Sequence, residues 1–229
     1  MNRTLISRIF RIVLKVRLAG ADCLCVQKIT ISWRAESCVA ICLQSHSWWS
    51  FMEGVASPSA LVTAARRRGI RVLALTDTNG LHGALEFIDA ASAQGVRPVV
   101  GATLVLGGQR LVVLAGEASG WATLCRLLTR VRLSGRVPGE LAADPHELVA
   151  DCHAGIHALV SHASGLQRLA PLMPGRVWAL VVRPAPRGAP VGEECRLLAA
   201  AERLRVPVVA GSGGVLLTRQ DQHRHRLLE

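Results

Sequence analysis

The stretch SPSALVTAARRRGIRVLALTDTNG, residues 57–80, decides the fold. Ser57 stands before Pro58, an N-cap followed by the residue whose fixed φ suits the first helical turn. An amphipathic pattern runs from Pro58 to Arg68, and Gly69 fits the left-handed position after a helix. Arg71–Thr76 is then a short apolar run. A strand covered on both faces reads this way, because a half-exposed strand would alternate apolar and polar residues. The run ends in a polar turn, Thr76-Asp77-Thr78-Asn79-Gly80. Helix, strand and polar strand end together make the repeating unit of an α/β fold.

The same unit recurs in both directions. Strand-like runs are Val39–Ser45, Pro98–Leu106, Arg110–Ala115, His157–Ser161, Val177–Val182 and Val206–Ala210. Amphipathic segments are Leu81–Ala93, Gly120–Val131, Pro145–Cys152 and Gly192–Leu204. Asp144-Pro145 with Glu147 repeats the helix-start signal. Seven strands with intervening helices over residues 39–229 predict a parallel sheet, as an α/β barrel or a doubly wound sheet. Either architecture places chemistry at the C-terminal ends of the strands. RPAPRGAP, residues 183–190, reads as a Pro-rich surface loop.

The strand ends carry the candidate residues. The first ends in Gln44-Ser45-His46-Ser47, followed by Glu53-Gly54. The second ends at Thr76–Gly80, followed by His82. Gly101-Ala102-Thr103 lies in the third, and the run at 157–161 leads into His162. Histidines and carboxylates gathered at one edge can hold a divalent metal that activates water for phosphoester hydrolysis. His46, Glu53, Asp77, His82 and His162 are that set. They also read as ordinary polar groups, His46 and Asp77 as satisfied caps and His162 as a loop residue. Gly211–Gly214 after the last strand can cradle a phosphate on backbone N–H groups or simply turn the chain.

The chain has 229 residues, 50% of them apolar, enough for one domain with a sizeable core. Basic residues outnumber acidic ones 27 to 16, a net charge of +11, which favours polyanion partners such as nucleic acid. Only Lys15 and Lys28 are lysines, as codon usage in a GC-rich genome would also produce. With no Tyr, three Phe and five Trp, the composition offers little material for stacking single-stranded bases. The charge is uneven. Residues 1–42 carry seven basic and two acidic side chains, net +5, and the remaining residues 20 and 14, net +6. Met1 to Gly20 has five basic residues and no acid, with Ile6, Ile9, Phe10, Val13 and Val16 at helical spacing. That leader, residues 1–38, reads as a basic amphipathic helix, a targeting peptide or a translation start placed too far upstream. Charges interrupt every apolar run in it, so it spans no bilayer, and no membrane partner is expected. Seven cysteines suit a reduced, cytoplasmic chain. Cys23-x-Cys25 and Cys38-x3-Cys42 fit no common zinc module.

LQSHSWWSFMEGVASPSALVTAARRRGIRVLALTDTNGLHGALEFIDAASAQGVRPVVGATL, residues 43–104, resembles the opening of a PHP (polymerase and histidinol phosphatase) domain. It is most similar to the PHP domain that begins the alpha subunit of bacterial DNA polymerase III, above all the error-prone type. The likeness continues through residues 111–135, 155–166 and 206–229. Gly120, Leu124, Cys125, Leu127 and Leu128 are typical of the polymerase branch. The resemblance implies a distorted seven-stranded (β/α) barrel over residues 39–229. It implies metal ligands at His46, Glu53 and His162, supported by Asp77, with zinc or manganese as the cofactor. It also marks positions where the family's ligands are replaced: Gln44, Thr78, Thr103, Gly213 and Val215. The implied partners are the polymerase palm and thumb domains or other replication subunits, with DNA met indirectly.

Three functions follow as expectations. The first is a structural PHP-like domain or fragment of a DNA polymerase III alpha subunit, serving replication or error-prone repair synthesis without its own palm. The second is a residual metal-dependent phosphoesterase of exonuclease or phosphatase type. The third is a basic nucleic-acid-binding module.

Overall fold

The computed structural model describes residues 40–51, 53–133, 144–182 and 192–211. The leader at 1–38, the loop at 183–190, and Gly213 and Val215 lie outside the described residues.

Strand β1 (Ala40–Cys42) leads through a loop into helix α1 (Pro58–Arg67). Ser57 Oγ accepts from the Ala60 N–H at 3.1 Å, and Gly69 ends the helix with φ 70°. Leu61, Val62 and Ala65 form the buried stripe. The chain enters β2 (Ile70–Leu75), then α2 (Ala84–Gln94) and β3 (Arg97–Leu106). Next come β4 (Gln109–Ala115), α3 (Ala118–Leu133), α4 (Pro145–Asp151) and β5 (Ile156–Val160). Helix α5 (Ala163–Leu169), β6 (Val177–Val182), α6 (Gly192–Leu204) and β7 (Val208–Gly211) complete the described order. Seven-residue α5 has no counterpart in the sequence reading, since so short a segment shows too few periods of its stripe.

The strands form one sheet in the order β1-β2-β3-β4-β5-β6-β7. It is not uniformly parallel as the apolar runs suggest. Strand β4 pairs antiparallel with both neighbours, and the other pairs are parallel. The cause is Gly107-Gly108. Leu106 pairs with Gln109, leaving a two-residue loop whose φ values are 57° and 76°. A tight hairpin turn of this kind needs positive φ at both central residues, which glycine alone adopts freely.

The sheet curls into a barrel. Ile41, Val72, Val99, Val112, Leu159, Trp178 and Val209, one from each strand, belong to a single inner cluster. Laid flat, seven strands would hold β1 and β7 roughly 29 Å apart. The ends also meet directly, since a methyl group on Gly211 would lie 3.3 Å from Gln44 Oε1. Alternate residues face outward: Leu111, Val113 and Ala115 of β4 pack with Leu124, Leu127 and Val131 of α3, while Val112 and Leu114 point inward. Both faces are therefore covered, which explains the unbroken apolar runs. No helix among the described residues is long and apolar enough to cross a membrane.

Candidate functional site

The site is built on the loop after β1, and Asp77 holds that loop from below. Asp77, buried at the end of β2, accepts from the Ser47 N–H at 2.6 Å and from Ser50 Oγ at 2.7 Å through Oδ1. Its Oδ2 accepts from Ser47 Oγ at 2.7 Å. Ser50 Oγ in turn accepts from the Thr78 N–H at 3.1 Å. Thr76 Oγ1 donates to Ser45 O at 3.1 Å and accepts from the Ser45 N–H at 3.2 Å. The loop is thus fastened to the end of β2 at three successive points, and Asp77 is the centre of the fastening.

Above it stand His46 and Glu53. His46 is buried, and its Nδ1 lies 3.3 Å from Ser50 Oγ and 3.7 Å from Glu53 Oε2. Burial holds the His46 pKa below its ordinary value; Arg110 adds to this, and the Glu53 and Asp77 carboxylates oppose it. Glu53 receives Thr78 Oγ1 at 2.6 Å on Oε2. Arg110 grips both of its oxygens, Nη1 on Oε1 at 2.6 Å and Nη2 on Oε2 at 3.1 Å. Partial burial acts to raise the Glu53 pKa, but the bonds from Arg110 and Thr78 outweigh it, and the carboxyl sits below its usual range.

Arg110 is absent from the candidate set read from sequence. Because β4 runs against its neighbours, its beginning lies at the edge where the parallel strands end. Strand-end reading looks only at where strands finish, and so passes over it. The Gly107-Gly108 pair was the available signal, as two glycines between apolar runs mark a hairpin.

The structure brings His46, Glu53, Asp77 and Thr78 into one network. Thr103 is buried beside it, its Oγ1 donating to Thr76 O at 3.0 Å. Gln44, Thr103, Arg110 and Ser161 share the lining of a cavity of about 220 Å³ at the barrel mouth. Gln44 Oε1 is buried there with no hydrogen-bond partner among the described residues. His162 precedes α5 and meets Ser161 Oγ through Nδ1 at 3.1 Å. His82 lies apart, against Trp49 and Arg132.

These side chains, as they stand, do not fit the zinc or manganese centre that the resemblance implies. Both Glu53 oxygens are engaged by a guanidinium, whose positive charge competes with a metal for them. Among the described residues no three His, Cys, Asp or Glu side chains gather as a metal would require. Thr78 and Thr103 use their hydroxyls on Glu53 and on Thr76 O.

Residues 43–184 match the family described as the PHP domain. The chain is 39% identical over 184 residues to the error-prone DNA polymerase of Anaeromyxobacter sp. strain K, covering 72% of this chain. It is 37% identical over 139 residues to the error-prone DNA polymerase of Mycobacterium tuberculosis H37Rv, covering 56% of this chain. It spans only 16% and 13% of the lengths of those two relatives. Among solved structures, a candidate metal-dependent phosphoesterase from Bifidobacterium adolescentis superposes with TM-score 0.54 at 14% identity, over 79% of this chain and 89% of that one. An amidohydrolase from Chromobacterium violaceum, with bound sulfate and no metal, gives TM-score 0.53 at 16% identity, over 83% and 97%. At such identities these two structures speak for the fold alone.

Proposed function

Because the chain belongs to the PHP domain family, we propose that it is the PHP module of an error-prone DNA polymerase of the DNA polymerase III alpha class, acting as a structural domain in the cytoplasm. The observation that carries the structural role is Arg110 on Glu53. A guanidinium supplies the positive charge that a metal would supply, and it joins the loop after β1 to the β3–β4 hairpin. Bidentate pairing of this kind fixes geometry and offers no polarised water for hydrolysis. The module's partners in this reading are the palm and thumb domains or other replication subunits, and DNA is met through them.

Metal content and hydrolysis test the reading together. Inductively coupled plasma measurement on the purified chain is expected to find no stoichiometric zinc or manganese. Hydrolysis of a chromogenic phosphate ester with added Mn²⁺ is expected to equal that of a His46→Ala variant. Two or three tightly bound ions, or activity lost with His46, would instead support a metal on His46, Glu53 and His162 with Asp77 behind them, and would overturn the structural role.

A further inference from the structure

Three of the chain's eight Phe and Trp residues fall within four positions, Trp48, Trp49 and Phe51. All three face solvent, with exposures of 54%, 47% and 86%. They are held there. Trp48 N–H donates to Ala56 O at 2.9 Å, and Ser47 and Ser50 on either side are pinned by Asp77. Trp49 packs close to Gly83, where a methyl group would lie 2.8 Å from its Cδ1. Exposed aromatic rings on a loop this firmly tied are presented, not left over from loose packing.

Trp49 and Phe51 border a cleft of about 540 Å³, a size suited to a small organic ligand. Its other wall is polar and positive. The His82 ring lies 5.8 Å from that of Trp49, tilted at 44°. Arg132 Nη2 reaches Asn79 O at 3.0 Å and His82 Nε2 at 3.1 Å. Asn79 is locked at φ 49° by two bonds to the backbone of Val105, so the floor is rigid. No carboxylate among the described residues lines the cleft. Glu53, which bonds the lining residue Thr78, is matched by Arg110.

Beyond the indirect contact with DNA in that reading, we propose that this cleft itself binds single-stranded nucleic acid, with a base stacked on Trp49 or Phe51 and a neighbouring phosphate on Arg132. Every base offers a π-face to such rings regardless of sequence, and a guanidinium suits the phosphate. A protein partner would favour a flush apolar face, whereas here two aromatic rings and two valines share the lining with Thr78, Asn79, His82 and Arg132. The aromatic composition is poor, but its placement concentrates it at one site.

The test is fluorescence anisotropy of a labelled oligothymidylate with the full chain, its Trp49→Ala/Phe51→Ala variant and its Arg132→Gln variant, over a range of salt. Removing the rings should weaken binding about tenfold or more with the salt slope retained. Arg132→Gln should flatten the log–log salt slope by about 0.7, one phosphate contact on a single strand. Circular dichroism checks folding, and Phe51→Ala alone serves if the double variant unfolds. Failure of the chain to bind the oligomer at low salt, or equal binding by the ring variants, would overturn the proposal. So would loss, in those variants, of association with a co-expressed polymerase palm segment by a chain that binds no oligomer; that outcome makes the face a protein-docking surface.

Discussion

Asp77 shows how one buried carboxylate organises a site without performing chemistry in it. Three donors from Ser47 and Ser50 converge on it. Asp77→Ala leaves all three without their acceptor, and denaturant unfolding should show a loss of roughly 3 kcal/mol or more. Asp77→Asn keeps an acceptor and should lose less. Titration is the second consequence at this scale. Burial, and then Arg176, bring the His157 pKa down to about 4 from 6.5, and burial lowers that of His46. In both cases the unfolded chain takes up the proton first, so the stability they contribute is complete above pH 6.5 and declines as pH falls below it, for His157 down to about 4. Glu53, held below its usual value, loses its contribution at still lower pH, in the same direction. His157 alone accounts for about 3 kcal/mol. Melting temperature should fall steadily below pH 6.5, and His157→Phe should flatten the part of that fall due to His157. The donors that meet Asp77 could not be read from sequence, where Ser47 and Ser50 are two serines of a loop. Asp77 itself was legible because it ends an apolar run.

The elements were legible where local chemistry spoke twice. Ser57 with Pro58 and Gly69 bracket α1, and Asp144 with Pro145 opens α4 by accepting from the His146 N–H at 2.8 Å. The direction of β4 was not legible from apolar runs, because a strand covered on both faces has the same pattern whichever way it points. Only the turn decides it, and the turn is Gly107-Gly108. Replacing either by Ala should cost about 1–2 kcal/mol, the strain of a side chain at positive φ. The same variants should loosen Arg110, three and two residues further on. Urea melts measure the first effect, and the acid stability of Glu53 variants in that background measures the second.

The whole molecule is a barrel with helices around it and uncovered apolar groups outside. Besides the loop aromatics, Leu85 and Trp121 are exposed, and Trp121 borders a largely apolar groove of about 380 Å³ with Ile88 and Val99. Apolar surface of that kind favours association. Light scattering should therefore show self-association as concentration rises, and a monodisperse monomer at high concentration would count against it. The Glu53–Arg110 pair joins positions 57 apart in the chain and constrains sequence change. Arg110 lost first strands a half-buried carboxylate; Glu53 lost first leaves the guanidinium without its carboxylate partner. Neither step is favourable alone. Such a pair is a ratchet on sequence drift: the chain is free to change elsewhere, but these two positions change favourably only together.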